Sequence, residues 1–453
     1  MSTGNNDRST FSKIFTIWND FVRLIGVYAF VQIGKTYYLY KKKYPFETVY
    51  KKYERYDKHG QGKDFLCVDC LHPRAKTVTH HKQSSTPEEM KVGDTSSENV
   101  IAGIEGRKYL MRKKCGLTKV SCDHFDIDGL ISCYSLLYPN DAVKYKKVLI
   151  EAARIGDFRE LDLALPENSL KALRLCSYVN QVEREEFNAP FVGDEKQNCM
   201  EKYGYFLEHF NGYVIACATA DASRIHDELG ITMEGQEEFE KVLRDVKTMQ
   251  DDAIVEKWSD CLATVVRVPK QVHYYALFGA TIDTDICIAI YAGRKYEIEH
   301  KYTTFVDIQS RETQPRIDLT ELAKALNRME NGKSTDEGKY KWDVAGVTDT
   351  GPLLRLNDTE ADARLTKAER YAHPDQRTIN ASTIPEDIFL KIVKSYLLYG
   401  AQSMFAHANK NPLFESRKVD CVDGVLRGKN WTWRETQTLN SAIDWSIWSI
   451  PSE

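Results

Sequence analysis

Apolar positions along this chain follow two spacings, and they change over near residue 260. Before that point short apolar runs alternate with stretches of helical period. "DFLCVDC" (64–70), "AKTVTHH" (75–81) and "LTKVSC" (117–122) read as short strands that end in polar residues. "NVIAGIEGRKYLMRK" (99–113), "LISCYSLLYP" (130–139) and "AVKYKKVLIEAARIG" (142–156) place apolar residues at helical intervals, and helix is expected on to about Lys257. Beyond that, "CLATVVRVP", "VHYYALFG", "DICIAIYAG" and "KYEIEHKYTTFVDIQS" are rich in β-branched and aromatic residues, which predicts a meander of about four strands. "DLTELAKALNRME" reads as a helix capped by Asp318, with Glu321 completing a capping box. Residues 331–384 read as a polar connection, and "IPEDIFLKIVKSYLLYG" as a further helix. The expected architecture is α/β: a mainly parallel sheet with flanking helices, then a β-rich α+β domain.

Length and composition add boundaries. A chain of 453 residues exceeds one ordinary core. The divisions expected are an apolar extension at 1–44, a first domain at 45–258, a second at 259–408 and a Trp-rich tail at 409–453. A formal charge of −4 gives no general attraction to nucleic acid. Eleven cysteines, mostly inside apolar runs, favour buried thiols over a disulfide framework, hence a cytoplasmic protein. Residues 11–40 are apolar and are followed by "KKKYP", but their longest uncharged part, Leu24 to Gly34, is too short to span a bilayer. Packing on the folded body and peripheral membrane contact through residues 11–43 both remain open.

The densest chemistry lies in "SCDHFDIDGLIS" (121–132). In an extended backbone His124, Asp126 and Asp128 point to one side. Such a group repels itself unless a cation compensates. Gly129 permits a turn or a close approach, and a helix beginning near Leu130 would aim its N-terminus at an anion. The pattern is not an EF-hand: position one is His124, and the position of the bidentate glutamate falls on Ser135. A solvated, helix-capping turn accounts for the aspartates and leaves His124 unexplained.

The run H-x-D-x-D-G-x-x-S closely resembles the first motif of the DHH phosphoesterase superfamily. That resemblance implies a dinuclear centre, usually of manganese (Mn2+, with Mg2+ as the alternative), in which a shared water attacks phosphorus. It also implies further ligands. "FLCVDC" ends in Asp69, "AKTVTHH" in His80 and His81, and "EAARIGDF" supplies Asp157. Thr79 stands where the superfamily has the aspartate of Asp-His-His, and "GDTSSENVIAGIEG" looks like the segment that follows it. The motifs occur in a different order here, as a circular permutation would produce. From about Phe65 to Leu356 the chain is also similar to an uncharacterised bacterial family carrying "NHFDVDG". The resemblance assigns His124, Asp126 and Asp157 to one ion, His80 and Asp128 to the other, Asp69 to both, and an orienting or proton-donating role to His81.

Competing and complementary features are fewer. Cys67, Cys70 and His72 with His80 or His81 offer a zinc set, weakened because strand spacing sends the two cysteines to opposite faces. "NGKST" (331–335) lacks the glycine and strand of a phosphate loop. Arg294, Arg311 and Arg316 are the candidates to grip substrate phosphate, whereas His273 and His300 read as ordinary strand residues. Trp431, Trp433, Trp445 and Trp448 read as a clasp holding the tail. The function expected is a metal-dependent hydrolase of a small phosphate ester, polyphosphate or short nucleotide, with larger nucleic acid not favoured. A different metal-dependent enzyme and a non-catalytic, membrane-peripheral binding protein are the alternatives.

Overall fold

The computed structural model describes residues 45–59, 63–187, 195–221, 235–330, 338–365, 373–414, 420–422 and 425–451, with Ala29, Gln32 and Glu369 besides. The expected membrane contact at 11–43 and the 331–335 loop lie outside the described residues. The chain divides into two units, Met1–Glu47 and Thr48–Glu453, and both main sheets belong to the second. No helix among the described residues is long and apolar enough to cross a membrane.

The first sheet comprises β1 (Lys52–Tyr53), β2 (Phe65–Val68), β3 (Lys76–Val78) and β4 (Lys119–Ser121). Its order is β1-β4-β2-β3 and every pairing is parallel. Phe65, Leu66, Cys67 and Val68 are all buried, as a parallel strand covered on both faces requires. Helices surround it: α1 (Ser96–Glu105), α2 (Ile127–Leu137), α3 (Pro139–Lys144), α4 (Lys146–Phe158), α5 (Glu167–Phe187), α6 (Glu195–Thr219) and α7 (Gln236–Asp252). α1 stops at Glu105, short of the expected Lys113, because Arg107 turns left-handed (φ 49°) and Lys108 donates its N–H back to the Gly103 carbonyl. The helix expected over 142–156 is two helices, α3 and α4, parted at Tyr145.

The second sheet has six strands: β5 (Ile254–Trp258), β6 (Ala263–Val268), β7 (Ile286–Tyr291), β8 (Lys295–His300), β9 (Tyr340–Asp343) and β10 (Leu353–Asp358). Their order is β5-β6-β7-β8-β10-β9, antiparallel except for β6 against β7. It is therefore not a four-stranded meander. "VHYYALFG" is not a strand but helix α8 (Tyr274–Gly279), the crossover that sets β6 and β7 parallel. The His273 side chain caps it by accepting the Tyr275 N–H. β5 replaces the expected last turns of helix, and β9 and β10 arise inside the expected polar connection. For β10 the signal was present, since Leu353, Leu354 and Leu356 are buried.

α9 (Thr320–Glu330) and α10 (Glu386–Ala408) pack on this sheet through Leu322, Leu326, Phe389 and Tyr396. Asp318 accepts the Thr320 N–H at the start of α9, but Glu321 pairs with Lys324 rather than completing a box. The tail ends in α11 (Trp433–Ser441). Trp431 donates its indole N–H to the Thr313 carbonyl at 2.9 Å, Trp445 stacks on Tyr396 at 4.1 Å, and Trp448 reaches Ser395 at 3.2 Å. Those three are the expected clasp, and Trp433 is not part of it. Cys67, Cys70, Cys122, Cys133, Cys176, Cys199, Cys217, Cys261 and Cys287 are buried free thiols, and Cys115 is a half-buried one.

Candidate metal centre

Three adjacent parallel strands deliver their carboxyl ends to one place. β2 runs out into Asp69, β3 into Thr79, His80 and His81, and β4 leads through Cys122 to His124. Ligands in open α/β sheets bind at this edge. Asp69 adopts a left-handed conformation, φ 52°, which aspartate tolerates better than most side chains.

The Asp69 carboxylate divides the site. Its Oδ1 lies 3.4 Å from His80 Nε2 and accepts the Ser96 hydroxyl at 2.7 Å. Its Oδ2 lies 3.4 Å from His124 Nε2. On the His80 side, Nε2 is also 3.5 Å from Asp157 Oδ2 and 3.9 Å from Asp128 Oδ2. On the other side, His124 Nε2 is 3.0 Å from Asp126 Oδ2. Asp157 therefore groups with His80 and Asp128, not with His124 and Asp126 as the resemblance assigned it. The cause is α4: Phe158 stacks on the His80 ring at 5.9 Å and brings Asp157 over the end of β3.

The two halves differ in depth. The side chains of His80 and Asp128 are fully buried and that of Asp157 is 5% exposed, while His124 and Asp126 are 29% and 31% exposed. Among the described residues the His124 side is the more open to a ligand.

Hydrogen bonds orient the deep half. His80 Nδ1 donates to the Asp94 carbonyl at 2.7 Å, leaving the Nε2 lone pair facing the carboxylates. Neither His80 Nε2 nor Asp157 Oδ2 has a hydrogen-bond partner among the described residues, and both atoms are buried. A lone pair surrounded by carboxylate oxygens is repulsive unless a proton or a cation lies between them. Asp128 accepts the Ser96 and Ser97 N–H groups, each at 2.8 Å. Asp126 caps α2 by accepting the Gly129 N–H at 2.7 Å. α2 thus begins at Ile127, three residues before the expected start, and Asp128 sits in its first turn rather than on an extended chain. The α2 N-terminus is turned to Asp126 instead of to an outside anion.

Charge shifts accompany this geometry. Burial, then the charges of Asp126 and Asp128, pushes the Asp69 carboxyl well above the usual range. Burial, then Asp128 and Asp126, does the same to Asp157. Asp126 goes the other way: burial resists, but His124 and the Gly129 N–H hold it low. Burial, then His80 and His124, pushes His81 well down.

His81 is placed by neighbours on both nitrogens. Thr79 Oγ1 is 2.6 Å from Nδ1 and the Tyr302 hydroxyl 3.4 Å from Nε2. The three arginines are not brought to the carboxylates. Arg294 lies in the β7–β8 turn and donates to the Thr383 carbonyl. Arg311 is paired with buried Asp285 and also bonds Thr303. Arg316 is buried and donates to Thr304 and to the carbonyls of Val347 and Thr350. His72 accepts the Arg74 and Ala75 N–H groups on Nδ1 and meets the Asp57 carbonyl with Nε2, so it has no lone pair for zinc.

Ser96, Ser97, Asp94 and Tyr302 shape the centre without having stood out in the sequence. The small-residue turn "GDTSSEN" was the available signal for the first three. Tyr302 has none, because it arrives from 221 positions beyond His81. Two imidazoles and four carboxylates make a donor set for a hard or borderline divalent cation such as Mn2+ or Mg2+ rather than for a soft ion.

The fold and this centre define an α/β protein with a candidate metal-binding site at the carboxyl edge of a parallel sheet. Residues 50–407 match a family of unknown function (DUF6687), and the chain belongs to that family. No curated protein and no solved structure matches the chain.

Proposed function

We propose that the protein is a divalent-metal-dependent phosphoesterase-like hydrolase acting on a small phosphate ester, polyphosphate or short nucleotide. The observation that supports this best is the Asp69 carboxylate, with one oxygen toward His80, Asp128 and Asp157 and the other toward His124 and Asp126. A carboxylate so placed can serve two ions at once, and the likeness to a permuted DHH phosphoesterase implies two. When bound, a pair of divalent ions would supply an acidified water and neutralise charge developing on phosphorus. The chain does the rest. Ser96, Ser97 and the Asp94 carbonyl hold the deep donors in place, and burial of that half excludes bulk water. Thr79 takes over the orienting task of the missing aspartate by fixing His81 Nδ1. His81, kept neutral by burial, can accept a proton from water or pass one to a leaving group.

Metal content and Mn2+ titration of the purified protein test this, beside Asp126→Ala and Asp128→Ala. Two ions per chain, reduced in both variants, with metal-dependent hydrolysis of phosphate esters, is the expected result. No binding by a folded wild-type protein would sink the reading and leave a non-catalytic role.

A further inference from the structure

We propose that Phe305 and Trp433 form an aromatic shelf beside His81 that receives a planar heteroaromatic ring, a nucleobase in chemical class, carried by the phosphate ester. This rests on the phosphoesterase reading and narrows its substrate.

Residues 302–307 cross the metal centre directly. His81 pairs with Val306 in an antiparallel bridge, and the Asp307 N–H reaches the His80 carbonyl at 2.8 Å. This crossing sets a run of rings beside the shallow half of the site. The Phe305 ring is edge-on to His81 at 6.3 Å and stacked on Tyr302 at 5.4 Å. Trp433 follows at 5.3 Å from Phe305. Phe305 and Trp433 are only half-buried, although each is large enough to reward full burial.

The backbone beneath Trp433 is firmly held, and its indole meets Phe305, Arg316 and Lys82. Gly428 and Thr313 exchange both backbone hydrogen bonds at 3.0 Å, Trp431 is sunk in the core, and Thr432 forms a complete capping box with Glu435. The other three tail tryptophans spend their rings or N–H groups on the clasp. Trp433 instead packs against Phe305, its backbone held by the capping box and its ring half-buried.

The charges around the shelf favour a ring over a polyanion. Arg316 lies 5.5 Å from both Phe305 and Trp433, and Lys82 lies 5.7 Å from Trp433. Both cations are already engaged: Lys82 with the Val306 carbonyl and Asp307, Arg316 with Thr304 and the Thr350 carbonyl. They stiffen the shelf as cation–π partners and leave no counter-charge for further phosphates. A base one sugar away from the reacting phosphate would stack against the part of these rings left exposed, and stacking of this kind is sequence-tolerant and worth about 10–100-fold in affinity.

The test uses the full-length protein with Mn2+ and three substrates: adenylyl-adenosine, the same diester with an abasic unit in place of one nucleoside, and tripolyphosphate. The expected result is a kcat/KM preference of about 10-fold or more for the base-bearing diester. Trp433→Ala and Phe305→Ala should collapse that ratio toward one, and Trp433→Phe should keep most of it. Trp433→Leu retains apolar bulk if the alanine variant fails to fold. Binding supplies an independent readout: AMP should quench tryptophan fluorescence in wild type with metal chelated, ribose 5-phosphate should not, and Trp433→Phe should lose the response. Equal kcat/KM for base-bearing and abasic diesters, or an equal loss on both in Trp433→Ala, would overturn the shelf. If none of the three substrates is turned over, the phosphoesterase reading fails, and quenching by AMP alone decides for or against the shelf.

Discussion

The two sheets of this protein are surrounded by buried charge, and they treat it in opposite ways. Around the second sheet each buried acid faces a cation. Asp285 is paired with Arg311 and accepts the Gln314 N–H at 2.7 Å, and Glu297 is clasped by Arg377 at 2.6 and 3.2 Å. At the edge of the first sheet Asp69, Asp128 and Asp157 share a single buried imidazole, and two of the atoms involved have no hydrogen-bond partner among the described residues. Satisfied charge serves as scaffold, because burying a pair costs little once its partner and hydrogen bonds are in place. Unsatisfied charge of one sign stores repulsion that a cation would relieve. The contrast, rather than the number of acids, marks the first sheet as the site.

Substitutions can break that contrast. The largest effect is expected from Asp69→Asn, which removes the carboxylate common to both halves. Hydrolysis should fall by about 1,000-fold. The Mn2+-dependent rise in stability, about 2.7 kcal/mol at 100 times Kd, should vanish while the metal-free protein melts no lower than wild type. Calorimetry with and without Mn2+ measures both. A metal-free variant that unfolds more readily would mean that Asp69 is scaffold after all.

Arg311→Met reverses the experiment on the second sheet. Leaving Asp285 unpaired should cost about 3–5 kcal/mol in denaturant unfolding, with Mn2+ affinity unchanged. A loss of metal or substrate affinity without a loss of stability would return Arg311 to the substrate site. Thr79→Val tests the outer support of the centre, since it deletes the 2.6 Å contact with His81. Activity should drop about 10–100-fold with the metal count unaltered.

Smaller effects sharpen the picture. A Cβ on Gly129 would lie 2.6 Å from the Tyr203 hydroxyl and 3.1 Å from Asp126 Oδ1. Gly129→Ala should therefore destabilise by about 1–3 kcal/mol despite the helix, and Tyr203→Phe should restore part of that. The second sheet also carries an acid-sensitive group. Burial, then the charge of Arg316, lowers His300 from 6.5 to about 3. The folded state keeps it neutral while the unfolded chain protonates, so stability is level above pH 6.5 and falls as pH drops from there toward 3. The contribution should be about 1.4 kcal/mol at pH 5.5, and a His300→Gln variant should show a flatter acid limb in thermal melts. An unchanged limb would place the acid sensitivity elsewhere.

Much of the first half was legible in one dimension. β2, β3 and β4 are short apolar runs ending in chemistry-bearing residues, and the alternation of strand and helix predicts a parallel sheet whose strand ends gather together. Local rules were less reliable where tertiary packing competed with them. "VHYYALFG" has strand composition, yet Tyr275, Ala276, Leu277 and Phe278 are buried as a helix capped by His273. The arginines looked available because their partners, Asp285 and the carbonyls near residue 350, are distant in sequence.

What this sequence determined by itself is which acids and histidines stand at the strand ends, because strand termini and the spacing of acids are local properties. Only the tertiary structure decided how these groups are brought together. Asp157 joins His80 and Asp128 because α4 lays Phe158 on His80, and Asp128 turns toward Ser96 and Ser97 because Asp126 starts α2 early. Tyr302 and Phe305 reach His81 from far along the chain, and Trp433 reaches Phe305. Contacts between residues hundreds of positions apart leave no periodicity to read, so the depth of the site and its approach exist only once both sheets have packed.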